Sequence, residues 1–281
     1  SLASRNAARS VSGRTLAYWL PQLGAAYQLT PQLQARASLG RTIGAPSFDA
    51  YNQAPSGAIT TSQQYWDQLK PELGVKLDLG LRWQAERAYL EPTLYFSRSR
   101  NKGVNVYSEQ TRTVYSQNIG QTRGYGLQLS AGLTPLTGLR LFGALSYSRS
   151  QFSEDVRTNN GAWLPVQGKQ LPDVPRWMAN LGAAWQWQGL TVAPSVNYVG
   201  SRWATSTYTE RLPGYLTADL NFSYAGKARW GGWELGLSVL NVFDRRYIGQ
   251  ISTSEINTAS NGAIYYPGAP RTVVGKVKLT F

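Results

Sequence analysis

The sequence predicts an all-β chain whose strands build the wall of an antiparallel transmembrane β-barrel. Three observations carry that prediction. The first is a two-residue alternation, clearest over residues 72–83. Leu73, Val75, Leu77, Leu79, Leu81 and Trp83 share one face, and Glu72, Gly74, Lys76, Asp78, Gly80 and Arg82 share the other. Successive side chains of a strand point to opposite faces, so a slip of one residue would carry four charges onto the apolar side. The second is the spacing. Tight turns alternate with long polar loops at about 42–66, 103–120, 150–173, 200–213 and 249–267. Outer-membrane barrels have this asymmetry, with short periplasmic turns and large extracellular loops, whereas a sandwich spaces its strands more evenly. The third is aromatic placement. Trp83, Trp185, Trp187, Tyr198, Tyr224 and Trp233 fall at strand ends, where an interfacial girdle would put them.

Taken in order, residues 1–15 are polar and irregular and read as a loop remnant. Trp19 to Leu29 alternates and turns through Thr30-Pro31-Gln32 into Leu33, Ala35, Ala37 and Leu39. The strand at 69–83 leads through a short break to Ala88, Leu90, Pro92, Leu94 and Phe96, where Pro92 is a misfit because it cannot donate to a ladder. Tyr125 to Leu133 and Leu139 to Tyr147 flank the turn Thr134–Gly138. Trp177 to Trp187 and Leu190 to Tyr198 flank Gln188-Gly189. Leu216 to Tyr224, Trp233 to Val239 and Val273 to Phe281 complete about eleven strands, each near the 9–11 residues a tilted strand needs to cross hydrocarbon.

Composition removes several function classes. The 281 residues contain no Cys and no His, which excludes thiol chemistry, Ser-His-Asp triads and imidazole or thiolate metal ligands. No clustered acidic motif supports carboxylate catalysis, so the chain reads as a non-enzyme with no catalytic residue, cofactor or metal site. The formal net charge is +13, but the basic residues are scattered one or two per strand, which disfavours nucleic acid as a partner. No apolar run reaches the roughly 18 residues of a membrane helix, which leaves closed barrels open.

Leu237 to Tyr247, reading LSVLNVFDRRY, resembles the penultimate-strand signature of TonB-dependent outer-membrane receptors of the siderophore type. Tyr266-Pro267-Gly268-Ala269-Pro270-Arg271 is similar to that family's entry into its last strand. Leu69-Lys70-Pro71-Glu72, Gln117 to Gly120 with Gly124 to Gly126, and Gly168 to Pro175 are similar to further family segments in the same order. The resemblance implies a plugged twenty-two-stranded barrel in the bacterial outer membrane, in contact with outer-membrane lipid and lipopolysaccharide. It also implies a TonB energy-transducing complex as partner and a ferric siderophore, or less often haem, cobalamin or sugar, as ligand. About half the implied strands are present, so residues 16–281 read as the carboxy-terminal half of the barrel, with plug domain and first strands absent. A passive porin-like channel is the alternative, and an outer-membrane enzyme is a third reading that the missing His opposes.

The outer loops would then form a vestibule. Tyr51, Tyr65, Trp66, Tyr115, Trp163, Trp203, Arg211 and Tyr265 are candidate ligand contacts, because rings offer flat apolar area and Arg offers charge to an anionic chelate. Loop-to-loop packing is the competing reading for each. Arg36, Lys76, Arg82, Asp219, Lys276 and Lys278 should face the lumen and the plug of the same receptor. Asn241 to Tyr247 reads as a structural loop entry rather than a ligand site.

Overall fold

A computed structural model describes residues 15–45, 67–108, 113–157, 163–252, 256–257 and 264–281. The loop remnant assigned to the first residues lies, apart from its last position, outside these. Eleven strands follow one another, antiparallel, along one twelve-stranded sheet, whose twelfth member is a short parallel piece of the last loop at 256–257. They are β1 (Gln22–Thr30), β2 (Leu33–Gly44), β3 (Glu72–Gln84), β4 (Ala88–Ser108), β5 (Thr113–Leu136) and β6 (Leu139–Phe152). After two short strands, β7 (Val156–Arg157) and β8 (Trp163–Leu164), come β9 (Trp177–Trp187) and β10 (Leu190–Val199). β11 (Arg202–Trp203) and β12 (Arg211–Leu212) form a small hairpin before β13 (Tyr215–Ala228) and β14 (Gly231–Leu240). β15 (Ile248–Ser252), β16 (Ile256–Asn257) and β17 (Ile264–Pro267) lie in the last loop, and β18 (Thr272–Thr280) ends the wall. The path runs β1-β2-β3-β4-β5-β6-β9-β10-β13-β14-β18 and does not close on itself.

The registers keep like with like. Leu39 faces Leu77, Leu77 faces Phe96 and Phe96 faces Tyr125. Further along, Val196 faces Leu181 and Ala218, and Leu235 faces Tyr224 and Val277. One face of the sheet is therefore apolar and the other polar from edge to edge. Leu77, Leu220 and Leu279 all stay accessible on the apolar face rather than meeting in a protein interior, as lipid-facing side chains must.

Local chemistry explains the joints. Gln188 and Gly189 both take positive φ, 45° and 83°, giving the two-residue turn whose twist suits a β-hairpin. Pro92 is accommodated by a lapse in one ladder. The β3–β4 pairing stops at Gly80↔Thr93 and resumes at Trp83↔Leu90, while Pro92 keeps its partner Leu129 on the other side. Pro194 repeats the device: β9–β10 pairing skips it, and β13 supplies Leu220. A proline without an N–H fits a central strand only where one neighbour forgoes a bond.

The expected loop at about 103–120 is instead mostly strand. β4 and β5 keep one register from Ala88↔Leu133 to Ser108↔Thr113, missing only the Asn101–Gly120 pair, so the hairpin is much longer than the roughly 9–11 residues a strand needs to cross hydrocarbon. β5 has 24 residues, on the order of 80 Å of strand at the usual rise. The apolar alternation fades there in the sequence, while the ladder itself continues.

Candidate functional site

The end of the wall with the long connections carries a packed outer tier. Phe152 N–H donates to the Lys169 carbonyl (3.0 Å) and Leu171 N–H to that of Ser150 (2.9 Å), so residues 168–171 extend the sheet beside β6. Asp173 N–H donates to Trp203 O (2.9 Å), which adds the β11–β12 hairpin to the same tier. Ile119, Phe152, Val156 and Val166 form a dry cluster here, with Leu164 and Leu171 against it.

Arg202 is the hub. It is 6 % exposed, its Nε lies 2.7 Å from Asp173 Oδ1, and its Nη2 donates to Ile248 O (2.8 Å). Its guanidinium also sits over the Tyr215 ring, 5.9 Å from the centroid, and Tyr215 stacks on Tyr247 at 4.2 Å. One side chain thus ties the loops after β6, β10 and β14. Burial pushes the Asp173 carboxyl above its ordinary range, against the opposing pull of Arg202 and of the Ile251 backbone.

Two hollows flank this hub. One, of about 410 Å³, is lined by residues including Arg176, Trp177, Tyr198, Trp203 and Arg211, and the other, of about 530 Å³, by residues including Tyr215, Arg245, Arg246 and Tyr247. Trp203 stacks on Tyr208 at 4.4 Å, Arg211 lies over Trp203 at 5.8 Å, and Lys169 lies over Tyr208 at 5.5 Å. The first hollow thus shares Trp177 and Tyr198 with the apolar face of the wall, whereas Arg202 and Tyr215 belong with the polar side.

Among the sequence candidates, Trp203 and Arg211 come together as cross-strand partners. Trp163 stands apart in β8, paired with Arg157 and largely exposed. Tyr265 pairs with Ile251 in the β15–β17 hairpin, where burial and then the Glu210 carboxylate push its phenol up to about 12. Tyr115 pairs with Val106 in the projecting hairpin. Tyr51, Tyr65 and Trp66 lie outside the described residues.

The lumen candidates share the polar face. Lys76 pairs with Asp78 at 3.1 Å and Arg82 with Glu91 at 2.9 Å, while Arg36 Nε donates to Gln34 (2.6 Å). Lys276 and Lys278 oppose Gly236 and Glu234. Asp219 anchors a polar chain across three strands and the residue just past β14. Asn180 donates to Asn197 (2.5 Å), Asn197 to Asp219 (3.2 Å), and the Asn241 N–H to the other Asp219 oxygen (2.8 Å).

Asn241 itself is buried at a φ of 49°. Its amide donates to the carbonyls of Arg245 and Ala269, both at 3.0 Å, and its oxygen accepts from Arg245 N–H at 2.9 Å. Asp244 accepts the Arg271 N–H at 2.9 Å. The LNVFDRRY stretch is thus a strand-end cap. Asn118 does the same for the loop before β3, bonding both backbone groups of Lys70 (2.6 and 2.8 Å) and the Asn101 carbonyl (2.7 Å). Sequence reading missed Arg202 and Asp173 as loop-tying groups, although Asp173 lies in the Gly168 to Pro175 segment and Arg202 stands beside Trp203.

A family model described as TonB dependent receptor-like, beta-barrel, matches residues 3–242. The chain belongs to the β-barrel of the TonB-dependent receptors. Members of this family are outer-membrane β-barrel proteins. The barrel chain is similar to the metal-pseudopaline receptor CntO of Pseudomonas aeruginosa, 27% identical over 93% of this chain and 33% of the relative. It is also similar to the ferrioxamine receptor of Yersinia enterocolitica, 24% identical over 85% of this chain and 32% of the relative. The chain therefore spans about a third of the length of these relatives. Among solved structures, the copper transporter OprC superposes with a TM-score of 0.71 at 19% identity, covering 92% of this chain and 39% of that one. The ferric yersiniabactin receptor FyuA of Yersinia pestis gives 0.67 at 20% identity, covering 92% and 36%. These two establish the fold.

Proposed function

We propose that this chain is the carboxy-terminal part of a receptor that carries a scarce metal chelate, foremost a ferric siderophore, inward across the outer membrane. The observation that carries the reading is the barrel-family match over residues 3–242. The printed names of the relatives, a metal-pseudopaline and a ferrioxamine receptor, support a chelated metal as cargo. Further strands would complete the barrel, and a plug would fill it against Arg36, Lys76, Arg82, Asp219, Lys276 and Lys278. A TonB-type complex would supply the energy. Rings and cations of the outer tier would hold the anionic chelate without covalent chemistry. The test is uptake of radiolabelled ferric siderophores by a strain deleted for the complete gene. Loss of uptake for one siderophore, restored by the gene, is expected; unchanged uptake across a broad panel of iron and other metal chelates overturns the reading.

A further inference from the structure

The last loop touches the wall far from where it starts. β16 lies between β14 and β18 in the chain, yet it pairs with the outer end of β4, six places from β14 along the sheet. The partners are Ile256↔Val106 and Asn257↔Tyr107, and they run parallel in a wall whose neighbours run antiparallel. The far end of β4 is suited to receive them. β3 leaves β4 at Leu73↔Arg100, while β4 continues beside β5 to Ser108↔Thr113. Beyond Arg100, the β4 edge turned toward β3 has lost that partner, and an edge of N–H and C=O groups takes up an extended segment by strand addition.

Chain length fixes the route. Six strand spacings amount to roughly 30 Å along the rim. β15, five residues long, covers about 15 Å, and the four-residue step from Ser252 to Ile256 adds at most about 14 Å. The loop therefore has just the reach for the rim distance and none to spare for a detour outside the wall. On a curved wall the shorter path is the chord, over the lumen. The root lies on that side, because Arg202, which belongs with the polar face, donates to Ile248 O (2.8 Å).

Root and tip are held unequally. At the root, β15 and β17 form an antiparallel hairpin, Ile251 is buried, and Gly268 N–H donates to Tyr247 O (2.8 Å). Tyr247 stacks on Tyr215, and the buried Arg202 guanidinium closes the set. At the tip, the join to β4 is a parallel ladder of two residue pairs. Parallel pairing is the less stable kind per residue, and two pairs give it little cooperativity.

We propose that β15, β16 and β17 form a strap across the mouth of the barrel, hinged at Arg202 and latched on β4 through Ile256 and Asn257. The latch, not the hinge, opens to admit large solutes to the lumen, while small ones pass beside the strap. The device makes entry size-selective before any solute reaches the wall below. It rests on the chain being barrel wall and not on the proposed cargo.

The experiment uses the complete receptor in outer membranes and has two readouts. The first is cross-linking. Val106→Cys with Ile256→Cys should join on mild oxidation, since directly paired residues lie within disulfide reach, whereas Val106→Cys with Lys227→Cys, at the other end of the wall, should not. The second is access to Ser99→Cys, on the polar face of β4, by a bulky polymer-linked maleimide and by a small one. Ile256→Pro with Asn257→Pro removes both N–H donors of β16. A minor open state is populated about 10% or less, so permanent opening should speed bulky labelling about tenfold or more and leave small labelling unchanged. Ile256→Val keeps the N–H and should label as wild type. Failure of the Val106–Ile256 pair to cross-link overturns the latch. Bulky labelling equal in wild type and the proline variant, or a matching rise for both reagents, overturns the gate. Ile256→Val behaving like the proline variant would mean that the ladder is not what holds the tip, and also overturns the proposal. Neither readout uses a chelate, so a failed cargo assignment leaves the result intact.

Discussion

Replacing Asn241 by Ala should open the loop entry at the outer end of β14. The side chain is nearly inaccessible and makes three hydrogen bonds, at 3.0, 3.0 and 2.9 Å, to the backbones of Arg245 and Ala269. Truncation leaves two carbonyls and one N–H without a partner, at about 1 kcal/mol each. The left-handed φ of 49°, comfortable for Asn, adds about 1 kcal/mol for Ala. The local cost is about 4 kcal/mol, or about three powers of ten in the equilibrium for opening. Hydrogen exchange on the complete receptor reads this at the Arg245 amide, which donates to Asn241 Oδ1 in the wild type. Asn241→Gly restores the backbone freedom but not the bonds, so it should recover about one power of ten. An Arg245 amide equally protected in wild type and Asn241→Ala would refute the reasoning, because it would mean that the cap is held by something other than this amide.

Three further outcomes follow from the same geometry. Asn118→Ala should free both backbone groups of Lys70, at about 2–3 kcal/mol, and create a protease-sensitive site just before β3, read by limited proteolysis of folded receptor. Gly126→Ala drives its new methyl into the Tyr147 carbonyl as well as the Tyr95 ring, whereas the atoms nearest a methyl at Gly182 all belong to the Phe142 ring. Urea unfolding in vesicles should show Phe142→Leu rescuing Gly182→Ala, and Tyr95→Leu failing to rescue Gly126→Ala, since a backbone oxygen cannot step aside. Tyr265, with a phenol raised from 10.0 to about 12, favours its protonated form when folded. The stability it contributes is full below pH 10 and is lost as pH rises through about 12, so Tyr265→Phe should remove that part of the alkaline loss in a tyrosinate titration followed by loop proteolysis.

How much of this was legible depends on how locally each feature is encoded. The eleven wall strands could be read because each carries its own two-residue beat, and Leu73 to Trp83 needs no partner to be recognised. Pro92 looked like an error in that beat, since a sequence does not say which neighbouring strand will forgo a bond, and the same question went unasked of Pro194. The outer halves of β4 and β5 went unread for a different reason. Val104 and Val106 stand among Asn, Ser and Thr, so the sequence carries no sustained apolar face there although the ladder continues. The hub was the least legible. Arg202 meets Asp173 and Ile248 across long stretches of chain, and the sequence offered Trp203 and Arg211 as the more conspicuous neighbours.

The distribution of burial separates two ways of being stable within one chain. In the wall, Leu79, Leu94, Leu181 and Leu235 remain open on one face, so no protein core can supply their hydrophobic stabilisation, and lipid must. In the outer tier, Phe152 at the end of β6 and Val166 in the loop that follows are sealed from solvent, and an ion pair ties three connections together. That tier is organised as a small soluble core would be, on a base that a membrane holds. The arrangement has a mechanical consequence. Loops tied through one buried guanidinium move together or not at all, because freeing one connection from Arg202 leaves a buried charge without its matching groups. Any rearrangement that admits cargo between the loops after β6, β10 and β14 must therefore either carry Arg202 and Asp173 as one unit or break their pair.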